Sequence, residues 1–172
     1  MITSNCLLKM KFCINCGAPL ESKLIEEKQR AYCPDCNRIH YEQLKVGAGA
    51  IIELDKKILL VQRAQALFAN CWNLPAGYVE ADESPIQAVI REVHEEVGLH
   101  VEVVDLADVY FFNDDPRGNG ILVVYNCAVK NGTLTESNEA LAPTCFVSKD
   151  IPTNLAGGGH NQAIKAWQKL SA

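Results

Sequence analysis

Gly77-Tyr78-Val79-Glu80-Ala81-Asp82-Glu83-Ser84-Pro85-Ile86-Gln87-Ala88-Val89-Ile90-Arg91-Glu92-Val93-His94-Glu95-Glu96-Val97-Gly98-Leu99 reads as a polar loop, one amphipathic helix and a stop. Ser84 is a natural N-cap, Pro85 suits the first helical position, Gln87 stands where a capping box needs it, and Gly98 follows the last apolar position. These signals predict a helix over 85–97. On a helical wheel Ile86, Val89, Ile90, Val93 and Val97 fall in one stripe about 100° wide, which marks the side facing a core. Glu92, Glu95 and Glu96 share a second arc of about 100°. A charge run on a helix is commonly a solvated face. Here, however, like charges crowd one another, and they do so at the C-terminal end of the macrodipole, where Lys or Arg would stabilise. A bound divalent cation removes both penalties, because clustered hard oxygen ligands suit Mg²⁺ or Mn²⁺.

The surrounding chain is 172 residues long, 48% hydrophobic and 22% charged. That length supports one sizeable core and a small module beside it. The composition excludes disordered, collagen-like and membrane-spanning classes. A formal net charge of −5 argues against a chain built chiefly to coat nucleic acid or anionic membrane. The charge is uneven: residues 1–45 hold seven Lys or Arg against five acids, and the remainder nine against sixteen. Met1 to Phe12 has no apolar run followed by a small-residue cleavage site, so a cytoplasmic protein is expected.

Eight cysteines are many for this length. In a reducing compartment regular spacing points to metal rather than to disulfides. Cys13-Ile14-Asn15-Cys16 and Cys33-Pro34-Asp35-Cys36 form two CxxC pairs, while Cys6, Cys71, Cys127 and Cys145 are scattered and expected to be small apolar fillers. Four thiolates complete a tetrahedral Zn²⁺ shell with no open position, so Cys13, Cys16, Cys33 and Cys36 are expected to form a structural zinc ribbon. A redox dithiol or an iron site is the competing reading. Metal binding would supply the folding free energy that some forty residues cannot gain from a core.

The domain boundary is expected at 45/46, where polar text gives way to Val46-Gly47-Ala48-Gly49-Ala50-Ile51-Ile52. Asp55-Lys56-Lys57 then turns into Ile58-Leu59-Leu60-Val61, a hairpin. Val101 to Val104, Val109 to Phe112 and Ile121 to Val129 supply further strands, with Asn131-Gly132 as a turn signal. A second helix is expected over 161–170, with Ile164, Trp167 and Leu170 on its apolar side. This order fits an α+β chain, residues 1–45 forming the ribbon and 46–172 an α/β/α sandwich around a mixed sheet.

Gly77, Glu83, Arg91-Glu92, Val93, Glu95-Glu96, Gly98 and Leu99 match every fixed position of the Nudix box, G-x5-E-x7-R-E-U-x-E-E-x-G-U, where U is bulky and aliphatic. The chain therefore resembles the Nudix hydrolases over about residues 46–170, and the expected fold is the Nudix sandwich. The resemblance implies hydrolysis of a nucleoside diphosphate linked to another moiety, with Mg²⁺ or Mn²⁺. It implies that Glu92 and Glu96 bind metal, that Glu95 binds metal or orients the attacking water, that Glu83 is an ancillary acid, and that the Ala76 carbonyl is an extra ligand. Arg91 would hold a box carboxylate by ion pairing. The base would come from a later loop, with Glu136 and Glu139 as candidates. Glu139 is preferred because it precedes Phe146-Val147-Ser148-Lys149-Asp150-Ile151-Pro152, similar to the family's F-x-x-x-D-E-I/L-P stretch, although Ala142 stands where relatives carry an acid.

A ribbon ahead of this domain is similar to two groups. Bacterial NADH pyrophosphatases carry SQPWPFPxS after the box, which Tyr110 to Arg117 does not supply. Phe12 to Gly17, Ile39-His40-Tyr41 and Trp72 to Tyr78 look closer to plant chloroplast FAD and ADP-ribose pyrophosphatases. ADP-ribose or FAD is thus the expected substrate, cleaved to AMP and a second phosphate ester; NADH and nucleoside triphosphates are alternatives. Tyr78, Phe68, Phe111 and Phe112 are candidates for stacking a ring, Arg63 and Arg117 for meeting phosphate, although aromatics in strands are commonly packing. Gly157-Gly158-Gly159-His160 lacks the Lys and Ser/Thr of a P-loop and is expected to be a mobile loop. His94 and His40 have no partner legible in the text. A homodimer is compatible with the family resemblance. The alternative of another class is a nucleic-acid-binding or regulatory protein, against which the complete set of box acids speaks.

Overall fold

The computed structural model describes residues 10–64 and 67–171; Cys6 and most of the N-terminal stretch read above lie outside the described residues. The chain divides between Gln43 and Leu44 into two compact units. In the first, β1 (Glu21–Ile25), β2 (Lys28–Cys33) and β3 (Arg38–His40) form an antiparallel sheet in that order. Glu26 and Glu27 take positive φ of 50° and 62°, the two-residue turn whose twist suits a hairpin. The fully buried apolar residues described in this unit are Cys13 and Cys33. No apolar alternation marks its strands, which is why the sequence did not announce them.

The second unit contains β4 (Lys45–Leu54), β5 (Lys57–Arg63), β6 (Trp72–Asn73), β7 (Ala76–Tyr78), α1 (Pro85–Val97), β8 (Leu99–Phe112), β9 (Gly120–Gly132), β10 (Ala140–Phe146) and α2 (His160–Leu170). The strands run β10-β5-β4-β9-β8, with β6 on β5 and β7 on β4. Only β4 and β9 are parallel, so the sheet is mixed. Alternation divides the central strands between two cores. Ala50, Ile52, Leu59 and Val61 pack with Val89, Val93 and Val97 of α1. Ile51, Ile58 and Leu60 pack with Ala163, Ile164 and Trp167 of α2. One helix on each face of the sheet makes the expected α/β/α sandwich.

The α1 signals act as read. The Ser84 hydroxyl accepts the Gln87 N–H, Gln87 Oε1 accepts the Ser84 N–H at 2.8 Å, and Gly98 closes the helix at φ 71°. Several details differ from expectation. The runs Val101–Val104 and Val109–Phe112 belong to one 14-residue strand, because bulges absorb the intervening polar residues without ending the pairing. Asn131 and Gly132 are not a hairpin turn; they pair with His100 and Leu99. Ile86 (45% exposed) and Leu170 (88%) fall outside the apolar stripes, since both sit in terminal turns beyond the sheet's reach. Strand β10 was not legible, its apolar alternation being broken by Pro143 and a register shift.

Candidate active site and metal centre

Docking of the α1 stripe on the sheet carries the Glu92–Glu96 flank against β7. Glu96 is 8% exposed, and its Oε2 accepts the Ala76 N–H at 2.9 Å. A Cβ at residue 77 would lie 2.0 Å from Glu92 Oε1, so only glycine lets this carboxylate lie along the strand. Burial pushes the Glu96 carboxyl up to about 8; the Ala76 N–H opposes the shift, while the nearby Glu92 and Glu139 charges add to it. Burial raises Glu92 as well, against the pull of Arg91.

Arg91 organises the rest. Its Nε and Nη2 grip both oxygens of Glu83, Nη1 donates to Glu92 at 2.8 Å and to Glu95 at 3.0 Å, and Nη2 also donates to the Tyr78 carbonyl at 3.1 Å. This planar fork spans the loop and the helix in a way a lysine cannot. It holds Glu83 below the usual carboxylate range.

A cavity of about 330 Å³ opens beside these groups. Glu92, Glu96, Glu139 and Ala76 line it, as do Arg63, Arg117, Tyr78, Phe68 and Phe112. Glu83 and Glu95 do not; they stand behind the wall, on Arg91. Phe111 does not reach it either: strand alternation turns Phe112 inward and leaves Phe111 52% exposed. Glu136 accepts the Ala142 N–H at 2.9 Å, whereas Glu139 faces the cavity. Asp115 and Glu80 were not singled out by the sequence reading, and His160 only as the end of the glycine run, yet all three line it. Asp115 forms a close ion pair with Arg117 and accepts its backbone N–H at 2.8 Å, which holds the carboxyl down at about 2. The spacing Asp-Pro-Arg, an Asx turn closed by its own cation, was the available signal. The Gly157–Gly159 loop is tied down where Asp114 accepts the Gly158 N–H at 3.0 Å. His94 stacks on His100 with ring centroids 4.4 Å apart.

The residues fit a divalent cation. Three carboxylates converge on one cavity wall, two of them shifted upward by burial, and Arg91 is already shared among Glu83, Glu92 and Glu95. Such a wall is rich in hard oxygen.

In the first unit the Sγ atoms of Cys13, Cys16, Cys33 and Cys36 all lie within 4.8 Å of one another. Cys13 to Cys36 is 3.9 Å and Cys16 to Cys33 is 3.6 Å. Tetrahedral Zn–S bonds of about 2.3 Å require S···S separations of about 3.8 Å, and a disulfide would need about 2.05 Å. N–H groups of Asn15 and Cys36 and the Asn15 side chain point at these sulfurs, the outer hydrogen bonds expected around a metal-bound thiolate. Of the other cysteines described, Cys127 is buried and Cys71 and Cys145 are partly so.

The family model of the NUDIX domain matches residues 43–163. The chain belongs to the Nudix family. The Nudix N-terminal zinc-ribbon model matches residues 11–42. The ADP-ribose pyrophosphatase of Methanocaldococcus jannaschii is 38% identical over 125 residues, 72% of this chain and 73% of that one. A NAD-capped RNA hydrolase NudC of Stutzerimonas stutzeri is 35% identical over 91 residues, 53% of this chain and 32% of that protein. A Nudix hydrolase from Nitrosomonas europaea superposes with a TM-score of 0.80 at 31% identity, covering 93% of this chain and 91% of the other. The protein is thus a Nudix hydrolase acting on phosphorus-containing anhydrides, with a zinc ribbon ahead of its catalytic fold. No helix among the described residues is long and apolar enough to cross a membrane.

Proposed function

We propose that this Nudix hydrolase cleaves the pyrophosphate of ADP-ribose, or of FAD, to AMP and a second phosphate ester. The observation that carries the reading is one cavity lined by carboxylates, by two arginines and by an aromatic ring. Glu92 and Glu96 face it together with Arg63 and Arg117, and the Tyr78 ring lies 5.9 Å from the Arg117 guanidinium and 5.5 Å from Lys45 Nζ. A dinucleotide presents the complementary groups, two phosphates and a flat base. The similarity to an ADP-ribose pyrophosphatase over most of both chains supports the choice.

Glu92 and Glu96 would hold Mg²⁺ or Mn²⁺, with the Ala76 carbonyl adjoining. A cation held there would supply neutralisation of phosphate oxygens and a lowered pKa for a bound water. Arg91 keeps Glu92 in position and fixes Glu95 and Glu83 behind it. Glu139 is the residue proposed to take the proton from the attacking water, since it lines the same cavity as Glu92 and Glu96. One P–O bond to water forms as the bridging P–O bond breaks, and Arg63 and Arg117 meet the charge left on the phosphates. The four ribbon thiolates would hold Zn²⁺ as a structural ion.

A panel of ADP-ribose, FAD, NADH and nucleoside triphosphates, each with Mg²⁺ and Mn²⁺ and with products identified, tests this. AMP from ADP-ribose or FAD at the highest kcat/KM is expected. A preference for triphosphates or NADH would overturn the substrate assignment.

A further inference from the structure

The loop between β8 and β9 carries two adjacent acids, Asp114 and Asp115, that engage different partners. Asp114 anchors the loop: its Oδ1 accepts the Gly158 N–H at 3.0 Å, and a Cβ at residue 157 would lie 2.2 Å from its Oδ2, so this carboxylate is pressed on the glycine run. Two backbone bonds fix the rest, Gly118 N–H to the Asp115 carbonyl at 3.0 Å and Lys45 N–H to the Asn119 carbonyl at 3.1 Å. Asp115 turns instead to the loop's own cation. Its Oδ1 accepts the Arg117 backbone N–H at 2.8 Å and Nε at 3.0 Å, and its Oδ2 accepts Nε at 3.1 Å and Nη2 at 2.8 Å. Pro116 stands between them with a fixed φ, which removes one torsion from the link.

An acid and a base two residues apart in a turn are ordinarily both solvated, and such a pair contributes little. This pair is lopsided. The Asp115 side chain is 5% accessible and the Arg117 side chain 50%. Both residues line the active-site cavity, and the guanidinium carbon lies 5.9 Å from the centroid of the Tyr78 ring. A free arginine samples many rotamers, and any contact it makes with a ligand must first overcome that freedom. Gripped through Nε and Nη2, the Arg117 guanidinium has its plane set before a ligand arrives, and Nη1 stays outside the pair. The fold has thus buried the acid and left the half-exposed base, already oriented, at the cavity.

We infer that Asp115 is a positioning residue for substrate binding: it sets the plane of the Arg117 guanidinium at the cavity beside Tyr78, so that the contact of Arg117 with the substrate depends on the Asp115 carboxylate. The inference rests on the pyrophosphatase reading, which gives Arg117 a phosphate to meet. Asp115 acts through Arg117 and touches no reacting atom.

The test uses the full zinc-loaded chain with Mg²⁺, the variants Asp115→Asn and Arg117→Ala, and their combination. Asparagine keeps an oxygen for the Arg117 backbone N–H, and with it the turn, but removes the charged two-oxygen grip on the guanidinium. We expect Asp115→Asn to raise KM for ADP-ribose roughly tenfold while kcat changes less than about threefold, and Arg117→Ala to raise KM at least as far. The double variant should be no worse than Arg117→Ala alone, because a group that acts only through Arg117 has nothing left to lose once Arg117 is gone. The Arg117 Nε–H proton supplies a readout independent of turnover: a sharp nuclear magnetic resonance signal in the ligand-free parent, assigned by its loss in Arg117→Ala, and broadened or lost in Asp115→Asn. Effects that multiply in the double variant overturn the proposal, as does an Nε–H signal retained in Asp115→Asn with KM unchanged. A lowered melting temperature in Asp115→Asn with KM unchanged makes the residue structural and overturns it too. Should ADP-ribose and FAD prove not to be substrates, the same cycle is run on the substrate the panel identifies; the non-additive pattern there upholds the role of Asp115 while the substrate assignment falls.

Discussion

The two units of this chain meet the problem of a metal ion in opposite ways. The ribbon buries almost nothing apolar beyond its own cysteines, so its thiolates are at once the core and the site. The catalytic unit buries two apolar layers, one on each face of its sheet, and then spends some of that stability on acids the fold does not need. Burying Glu96 destabilises the metal-free state, whereas bringing Cys13 and Cys33 together without metal would leave little to hold the chain. In the first unit an ion would make the fold; in the second the fold makes a place where an ion would sit.

Removing zinc is the strongest way to break that contrast. A structural site contributes about 10–16 kcal/mol. Chelation should therefore expose all four ribbon thiols to alkylation and open residues 11–42 to protease, while the catalytic unit still melts cooperatively. Ribbon thiols that stay protected in zinc-free protein would refute the assignment. Next in size is Glu96→Gln, which should lower kcat by about 1,000-fold or more, some 4 kcal/mol, with circular dichroism unchanged and metal-free melting not lowered. Near-normal turnover would sink the proposed role of Glu96. Gly77→Ala drives a methyl into Glu92 and should cost roughly 100-fold in kcat/KM through misplacement alone. A crystal structure of that variant with Glu92 unmoved would remove the explanation.

The smallest effect concerns pH. Glu96 has a folded-state pKa raised from 4.5 to about 8. Its protonated form is therefore favoured by folding: the stability is fully present below about 4.5 and is lost as pH rises towards about 8. Metal-free protein should lose stability over this range by urea titration, and Glu96→Gln should abolish that part of the slope. A parent protein equally stable at both ends would show that the wall is better solvated than its burial implies.

Much of this site was legible in the sequence because its signals are local. Caps, stripe and acids of α1 lie within one helix, and the thiolate knuckles within two short turns. What was not legible depends on which strand residues face inward and on contacts across the chain. Phe111 and Phe112 are equivalent as text; only the register of β8 on β9 turns one of them to the cavity. His160 was legible only as the end of a glycine-rich run, because its burial at the cavity depends on the whole fold. Asp115 reads as an ordinary turn residue until the loop is seen folded over the pocket. The ribbon strands escaped because hydrophobic periodicity cannot report a unit whose buried apolar residues are its cysteines.

The Arg91 fork can also be viewed as a mechanical part. One rigid plane touches the Tyr78 carbonyl, Glu83 on the loop, and Glu92 and Glu95 on the helix. Loop and helix are thereby pinned together, and a push on Tyr78, whose ring faces the incoming nucleotide in the proposed reaction, is passed without slack to Glu92. Where nucleotide and cation both bear on that plane, reciprocity requires each to change the other's affinity by the same factor.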